Sequence, residues 1–302
     1  MPPSGLTDSR PRTWASVICY RASRADIEAL VSVVAAETET VLVVDNSPDA
    51  SGNLPSIAQG NITYVAMSAN RGTAGAMNEA WRRAIAAGAD HLITFDQDSR
   101  PPTGMVTALV GSLLRLQREG RTIGAIGPMK VDPRTGRPLR LLRPVRWRKR
   151  YAPPEPGDVR VDHLITSGCL VPRTAFEEVG AANESLFLDY VDIDWSLRAR
   201  RLGYELICDA RVRMPHVIGD QVMPVGRWSV PLHDPRRNGL LVRNHLLLWR
   251  SPAVPVPWLL GDLRQVILKL AVHLIVAPRR RERLVCIGRG IVAGLSGRGG
   301  PL

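Results

Sequence analysis

Short apolar runs rich in Val, Ile and Thr alternate with amphipathic stretches along the first third of the chain. The runs predict strands at Ala15–Tyr20, Thr40–Asp45, Ile62–Ala66 and His91–Asp96, and the stretches between them predict helices near Arg24–Ala36 and Thr73–Ala87. This βαβαβαβ series implies an α/β fold, a Rossmann-like, mainly parallel sheet with helices on both faces. A further helix and the strand Ile123–Gly127 follow, and the Pro/Arg-rich segment Lys130–Pro156 reads as a long basic lid or binding loop. Beyond it, Leu186–Arg198 carries an acidic cluster with a helix starting near Asp192, and Tyr204–Asp209 and Val212–His216 are strand-like.

The C-terminal stretch Pro257–Ala277 is apolar but interrupted by Asp262, Gln265, Lys269 and His273, spaced to form one polar stripe on a helix. A spanning helix needs about 20 mostly apolar residues, and Asp262, Arg264 and Lys269 are costly inside lipid. An amphipathic helix in the membrane interface is expected instead, with Arg279–Arg283 meeting anionic headgroups. The alternative is a helix packed on the catalytic domain or on a second subunit of a homo-oligomer.

Composition is that of a globular protein, 45% hydrophobic and 23% charged over 302 residues. Four scattered cysteines without a paired motif fit a reducing cytosol, and Met1–Arg12 has neither signal peptide nor anchor and reads as a disordered leader. The net charge of +12 attracts anions, and it concentrates in Arg134–Arg150 and Arg279–Arg283. Aromatic residues that would stack bases are scarce there, so a membrane surface is favoured over nucleic acid.

Candidate chemistry gathers at the ends of the expected strands. Asp96 and Asp98 follow the strand His91–Phe95, and side chains two apart on an extended segment point the same way. Both carboxylates would face the crevice at the carboxyl edge of the sheet, where hard oxygen ligands suit Mg²⁺ or Mn²⁺ carrying a diphosphate. Asp45-Asn46-Ser47 ends its strand in the same manner. Asn70-Arg-Gly72-Thr-Ala-Gly75 opens a helix whose N-terminus favours anions, but it matches neither a dinucleotide fingerprint nor a phosphate-loop motif. Asp192 and its neighbours Asp189 and Asp194 are either helix-start carboxylates or a general base. His216 is either a metal ligand or a locally bonded histidine.

The order of these motifs resembles the family 2 inverting glycosyltransferases of GT-A fold, most closely their bacterial rhamnosyltransferase-like branch. Val-Val-Asp45-Asn46-Ser47, Asn70-Arg-Gly72 through Asn78, Asp96-Gln-Asp98, Thr-Ser-Gly168, Asp189 through Arg198, His216 with Gly219-Asp220, and Arg243-Asn244 carry the likeness. It implies a nucleotide-sugar site of Tyr20, Asp45, Asn46, Asn70, Gly72, Asp96 and Asp98, with Asp98 on the metal and His216 approaching the metal or diphosphate. Asp192 matches the catalytic base, Gly168 the acceptor side, and Asp194 and Arg198 supports of that helix on the same side. One departure stands out: Gly239-Leu240 occupies the place where this branch usually has a Tyr-Tyr pair.

The expected organisation is a leader (1–12), a GT-A domain (13–250) and a C-terminal helical, membrane-associating segment (251–302). The expected activity is metal-dependent inverting transfer of L-rhamnose from dTDP-rhamnose to a glycan or lipid-linked glycan, in cell-envelope polysaccharide synthesis on the inner face of the membrane. A UDP-linked galactofuranose or hexose donor, and a non-catalytic basic α/β binding protein, are the alternatives.

Overall fold

The computed structural model describes residues 11–49, 54–143, 150–152, 157–217, 221–225 and 228–302. Expectations for the leader up to residue 10, for Arg146, Arg148 and Lys149, and for Gly219-Asp220 lie outside the described residues.

The chain runs β1 (Thr13–Cys19), α1 (Arg24–Ala35), β2 (Thr40–Asp45), β3 (Ile62–Ala66), α2 (Gly72–Ala86), β4 (His91–Asp96), α3 (Met105–Arg118) and β5 (Ile123–Val131). It continues with β6 (Leu141–Arg143), β7 (Arg150–Ala152), β8 (Asp158–Arg160), β9 (Cys169–Pro172), α4 (Arg173–Val179), α5 (Val191–Arg201) and β10 (Glu205–Pro215). The hairpin β11 (Gln221–Val225) and β12 (Trp228–Leu232) precedes α6 (Pro235–Leu248), α7 (Val256–Val276) and α8 (Arg280–Leu295).

The sheet has the order β3-β2-β1-β4-β9-β5-β10-β8. Neighbours from β3 to β4 are parallel, as are β5 and β10, while β9 and β8 run antiparallel to their partners. Burial on both faces explains why its strands are apolar without alternation. In β1, Trp14 and Ile18 join the core under α2, α4 and α5, whereas Ala15, Val17 and Cys19 join the opposite core under α1 and α3. The chain therefore folds into helix, sheet and helix layers, as the periodicity predicts.

Part of the expected long loop is ordered. β5 extends to Val131 because its last residues pair with Arg213–Pro215 of β10, and β6 pairs with β7 as a short antiparallel ribbon.

Helices α6, α7 and α8 form a third packed unit beside the sheet. Gly239 of α6 faces α8 so closely that a Cβ there would lie 2.5 Å from the Cys286 carbonyl oxygen, and a Cβ on Gly290 would lie 2.2 Å from the Gly239 carbonyl oxygen. Two glycines let the helix backbones touch. A tyrosine at position 239 would drive α8 away, which accounts physically for the absence of the aromatic pair.

The polar stripe of α7 faces inward. Asp262 accepts from Tyr190 Oη at 2.6 Å and pairs with His245 Nδ1 at 2.8 Å, and His273 Nδ1 lies 2.8 Å from Asn238 Nδ2. The opposite face exposes Val256, Leu260, Ile267, Leu268 and Ile275, an arrangement inverted from that of an ordinary surface helix. No helix among the described residues is long and apolar enough to cross a membrane.

The expected role of Arg279–Arg283 needs correction. Arg283 is buried, donating to Asn238 Oδ1 and to the carbonyls of His233 and Pro278, while Arg279 is paired with Glu282. Their hydrogen bonds hold the turn between α7 and α8, so the cluster as a whole is not a free cationic face.

Candidate active site

Strand order reverses direction about β1, with β2 on one side and β4 on the other, so a crevice opens at their carboxyl ends. Register places Asp45 beside Cys19 and Asp96 beside Ile18 at that edge. A cavity of about 910 Å³ lies there. Of the residues expected to act, Tyr20, Asn46, Asn70, Gly72, Asp96, Asp98, Asp192 and His216 line it.

The Asp96–Asp98 geometry differs from the extended pair expected. β4 stops at Asp96, and Ser99 N–H donates to the Asp96 carbonyl at 3.0 Å, closing a turn. Both carboxylates reach the cavity through this turn rather than through strand alternation. Gln97 fastens it to β1 by accepting from Tyr20 N–H at 2.7 Å, and Ser99 Oγ meets Ser167 Oγ at 2.6 Å.

Asn46 builds the opposite wall. Its side chain donates to Asn70 Oδ1 and to the Gly72 carbonyl, both at 3.0 Å, and accepts from Arg71 N–H at 2.9 Å. Gly72 has φ +69°, and a Cβ there would sit 2.1 Å from the Phe187 carbonyl oxygen. Only glycine allows the start of α2 to approach the turn before α5 so closely. Asp45 does not line the cavity: it is 1% exposed and accepts from Ser47 N–H at 3.0 Å and Tyr64 Oη at 2.8 Å. It shapes the turn that presents Asn46.

The acidic turn before α5 is strained and clamped. Phe187 and Tyr190 both have positive φ. Asn244 Nδ2 donates to the carbonyls of Leu186 and Asp189, at 2.8 and 2.6 Å, and the fully buried Arg243 adds a bond to Leu186. The Arg-Asn pair thus positions the acidic turn.

Asp192 faces the cavity and also an apolar pocket of about 30 Å³ lined by Met77, Trp81, Phe176 and Trp195. Its carboxyl is pushed up to about 6, chiefly by desolvation, with the charges of Asp189 and Asp96 adding to the rise. Asp96 is likewise pushed up to about 6, by desolvation first and by Asp98 second, against the pull of Lys130 and Arg237. His216 is lowered by burial and by Lys130, while Asp98 opposes.

Asp194 and Arg198, expected on the acceptor side, do not line the cavity. Arg198 Nε donates to Asp194 Oδ2 at 2.9 Å and its other nitrogens bond the carbonyls of Val179 and Ala181, so the pair ties α5 to the loop after α4. Gly168 also lies outside it, at φ +73° with Met214 Sδ and Lys130 Nζ close to where a Cβ would stand. Thr166 of the same loop does reach the cavity.

Lys130, outside the cavity lining, and three lining residues, Arg237, His233 and Lys269, escape sequence reasoning. Lys130 is a buried cation whose Nζ donates to the Ser167 carbonyl; burial lowers its pKa to about 8, with Asp96 the strongest opposing charge. Arg237 forms a forked pair with Asp189, at 2.9 to 3.1 Å. Arg237, His233 and Lys269 also line the cavity, all from the C-terminal third of the chain. The inward stripe of α7 was the available signal for Lys269; nothing in the sequence marked Lys130.

No group of three or more His, Cys, Asp or Glu side chains converges to hold a metal among the described residues. Asp98 and His216 share the cavity wall, and two such ligands match a cation that completes its shell with substrate phosphate and water.

Open α/β sheets with a nucleotide crevice at the switch point serve many reactions, and solved structures narrow the class. A crystal structure of GalNAc-T7 with UDP, GalNAc and Mn²⁺ shares the fold at a TM-score of 0.55 and 12% identity, over 90% of this chain and 59% of that one. The S. aureus TarS structure does so at 0.51 and 12%, over 93% and 49%. The architecture is the GT-A glycosyltransferase fold with a C-terminal helical extension.

A family model described as glycosyl transferase family 2 matches residues 16–180, more than half of the chain, and the protein belongs to that family. It is a glycosyltransferase. Over 289 residues, 94% of both chains, it is 28% identical to the dTDP-rhamnosyl transferase RfbF of Shigella flexneri.

Proposed function

We propose that this enzyme transfers L-rhamnose from dTDP-rhamnose, with inversion and with a divalent cation, to a glycan or lipid-linked glycan in cell-envelope polysaccharide synthesis. The observation that carries the donor is the likeness to a dTDP-rhamnosyl transferase over 94% of both chains.

On this basis the nucleotide lies against Tyr20, Asn46, Asn70 and Gly72, and its diphosphate against the Asp96–Asp98 turn. Asp98 and His216 would hold Mg²⁺ or Mn²⁺, which supplies Lewis-acid charge for the departing diphosphate. Lys130 bonds the Ser167 carbonyl within the Thr166–Gly168 loop, and its charge favours the ionised form of Asp96. Asp192 receives the proton of the attacking acceptor hydroxyl, a task suited by a carboxyl raised to about 6 that is ionised at neutral pH yet still basic. A single in-line displacement needs no second nucleophilic carboxylate.

The same proposal puts the enzyme on the cytoplasmic face of a membrane. The exposed apolar side chains of α7 are joined by the exposed Leu284, Val285, Ile291, Val292 and Leu295 of α8, and Arg264, Arg281 and Arg289 of the same two helices are exposed as well. Such a surface matches an anionic bilayer interface.

The test is turnover of a donor panel, dTDP-rhamnose against UDP-galactofuranose and UDP-hexoses, with Mg²⁺, Mn²⁺ or chelator. Rhamnose release that requires the cation supports the proposal; preferential turnover of a UDP-sugar would reassign the donor.

A further inference from the structure

The apolar pocket of about 30 Å³ adjoins the large cavity at two residues, Asp192 and Thr166, which line both spaces. Its other walls include Met77 and Trp81 of α2, Phe176 of α4, Ala182, and Trp195 of α5. That volume admits a group the size of a water molecule or a methyl and excludes a sugar ring.

The walls are fixed. Trp81 stacks on Phe176 with ring centroids 4.1 Å apart and planes 9° from parallel, and Trp195 Nε1 donates to the Gly180 carbonyl at 2.9 Å. Asn78 holds Ala182 on both sides of its peptide, Nδ2 donating to the Ala182 carbonyl at 3.0 Å and Oδ1 accepting the Ala182 N–H at 2.8 Å. Protein interiors are close-packed, so a gap whose walls are tied in place is a preformed receptor for a small apolar group.

We infer that this pocket receives the C6 methyl of a 6-deoxyhexosyl donor, and that Ala182 and the aromatic walls set the size allowed at that carbon. This deepens the proposed rhamnosyl transfer and rests on it.

The base brings the donor ring to the pocket. On the proposed reading Asp192 takes the proton of the hydroxyl that attacks the anomeric carbon, and the same residue walls the pocket, so the reacting sugar passes beside its opening. L-Rhamnose carries a methyl where a hexose carries a hydroxymethyl group. The added hydroxyl would enter among Met77, Trp81, Phe176 and Trp195, with the Trp195 N–H already bonded to Gly180. The methyl meets no such penalty.

The experiment measures nucleotide release by the full chain with Mg²⁺ from three donors: dTDP-L-rhamnose, dTDP-L-lyxose, which is the same ring without the methyl, and dTDP-L-mannose, which bears the hydroxymethyl group. Wild-type kcat/KM should favour rhamnose over lyxose by about 10–200-fold, the range for one methyl-sized contact in an apolar pocket. Ala182→Val fills the space, so this ratio should fall about tenfold, through loss with dTDP-rhamnose. Phe176→Leu removes the stacked ring and should raise dTDP-L-mannose relative to dTDP-rhamnose about tenfold, which keeps the test decisive where Ala182→Val does not fold. Calorimetric affinity for dTDP should be the same in all three proteins, since the nucleotide does not reach the pocket. A wild type indifferent to the methyl, or an Ala182→Val ratio equal to that of the wild type, would overturn the assignment. Equal loss with rhamnose and lyxose would do so too, and would give the space to the acceptor. Wild-type release from a UDP-sugar but not from dTDP-rhamnose removes the parent donor and this occupant together, whereas rhamnose release with an unchanged ratio removes the occupant alone.

Discussion

Tyr190 Oη donates to Asp262 Oδ2 at 2.6 Å, joining the residue that caps the acidic helix to the helix that closes the cavity. His245 Nδ1 reaches the same carboxylate at 2.8 Å, and all three groups are buried. The C-terminal helices are therefore part of the active-site frame as well as a candidate membrane contact.

Asp262→Ala should accordingly act on both stability and turnover. It leaves two buried polar groups without their acceptor, at a cost of roughly 1–3 kcal/mol for each. Because Tyr190 precedes Asp192 in a strained turn, kcat should fall while the donor KM changes little. Denaturant titration and steady-state kinetics check this, and an unchanged kcat would detach α7 from catalysis.

Much of the frame was legible in the sequence because parallel strands buried on both faces are apolar throughout, as in Thr40–Asp45 and His91–Asp96. The strand ends Asp45 and Asp96 follow from the same logic. What periodicity does not encode is long-range pairing. Asn244 binding the carbonyl of Asp189, Lys130 bonding the Ser167 carbonyl, and Gly239 meeting Gly290 each join residues far apart in the chain. The direction of a polar stripe is equally hidden: the spacing of Asp262, Lys269 and His273 predicts a helix with two faces but not that the polar one is inward. The turn at Asp96–Ser99 escaped for a local reason, since a strand's end is where its alternation ceases to hold.

Asp98 should be the cation-binding carboxylate, since it lines the cavity together with His216 while Asp96 is the last residue of β4. Asp98→Asn keeps the shape and loses the charge, so the gain in nucleotide diphosphate affinity on adding Mg²⁺ or Mn²⁺ should disappear. Asp98→Ala should behave alike. Calorimetric titration with and without cation decides it, and retention of the metal-dependent gain would move the ligand elsewhere.

For the membrane contact, the apolar side chains outside the protein core are the groups to change. Leu268→Asp with Ile275→Asp should abolish flotation with anionic vesicles, because both side chains are exposed and their replacement leaves the packed face of α7 intact. Arg264→Glu with Arg281→Glu should weaken binding to anionic vesicles and leave neutral ones little affected. Arg283 is unsuited to this test, since its guanidinium is buried against Asn238. Equal flotation of the wild type and the variants would remove the membrane from the picture.

Asp192 offers a test in which rate and stability should move in opposite directions. As the base it must be ionised, and its carboxyl is raised to about 6, so kcat at saturating donor should fall about tenfold per pH unit below 6 and level off above it. Asp192→Asn should lower transfer by roughly 10²–10⁴-fold, lose that acid limb and keep donor affinity. Stability follows from the sign of the shift. A folded pKa raised above the unfolded value of 3.8 favours the native state when the group is protonated; that contribution is complete below 3.8 and is lost as pH rises through about 6. Asp192→Asn, which never ionises and can still accept the Ile193 N–H, should therefore match the wild type near pH 4 and unfold at a higher temperature near pH 7.5. Thermal melts at the two pH values, with kinetics on the same samples, check both halves. A variant that transfers sugar at close to the wild-type rate would move the base elsewhere, with Asp189→Asn the first control.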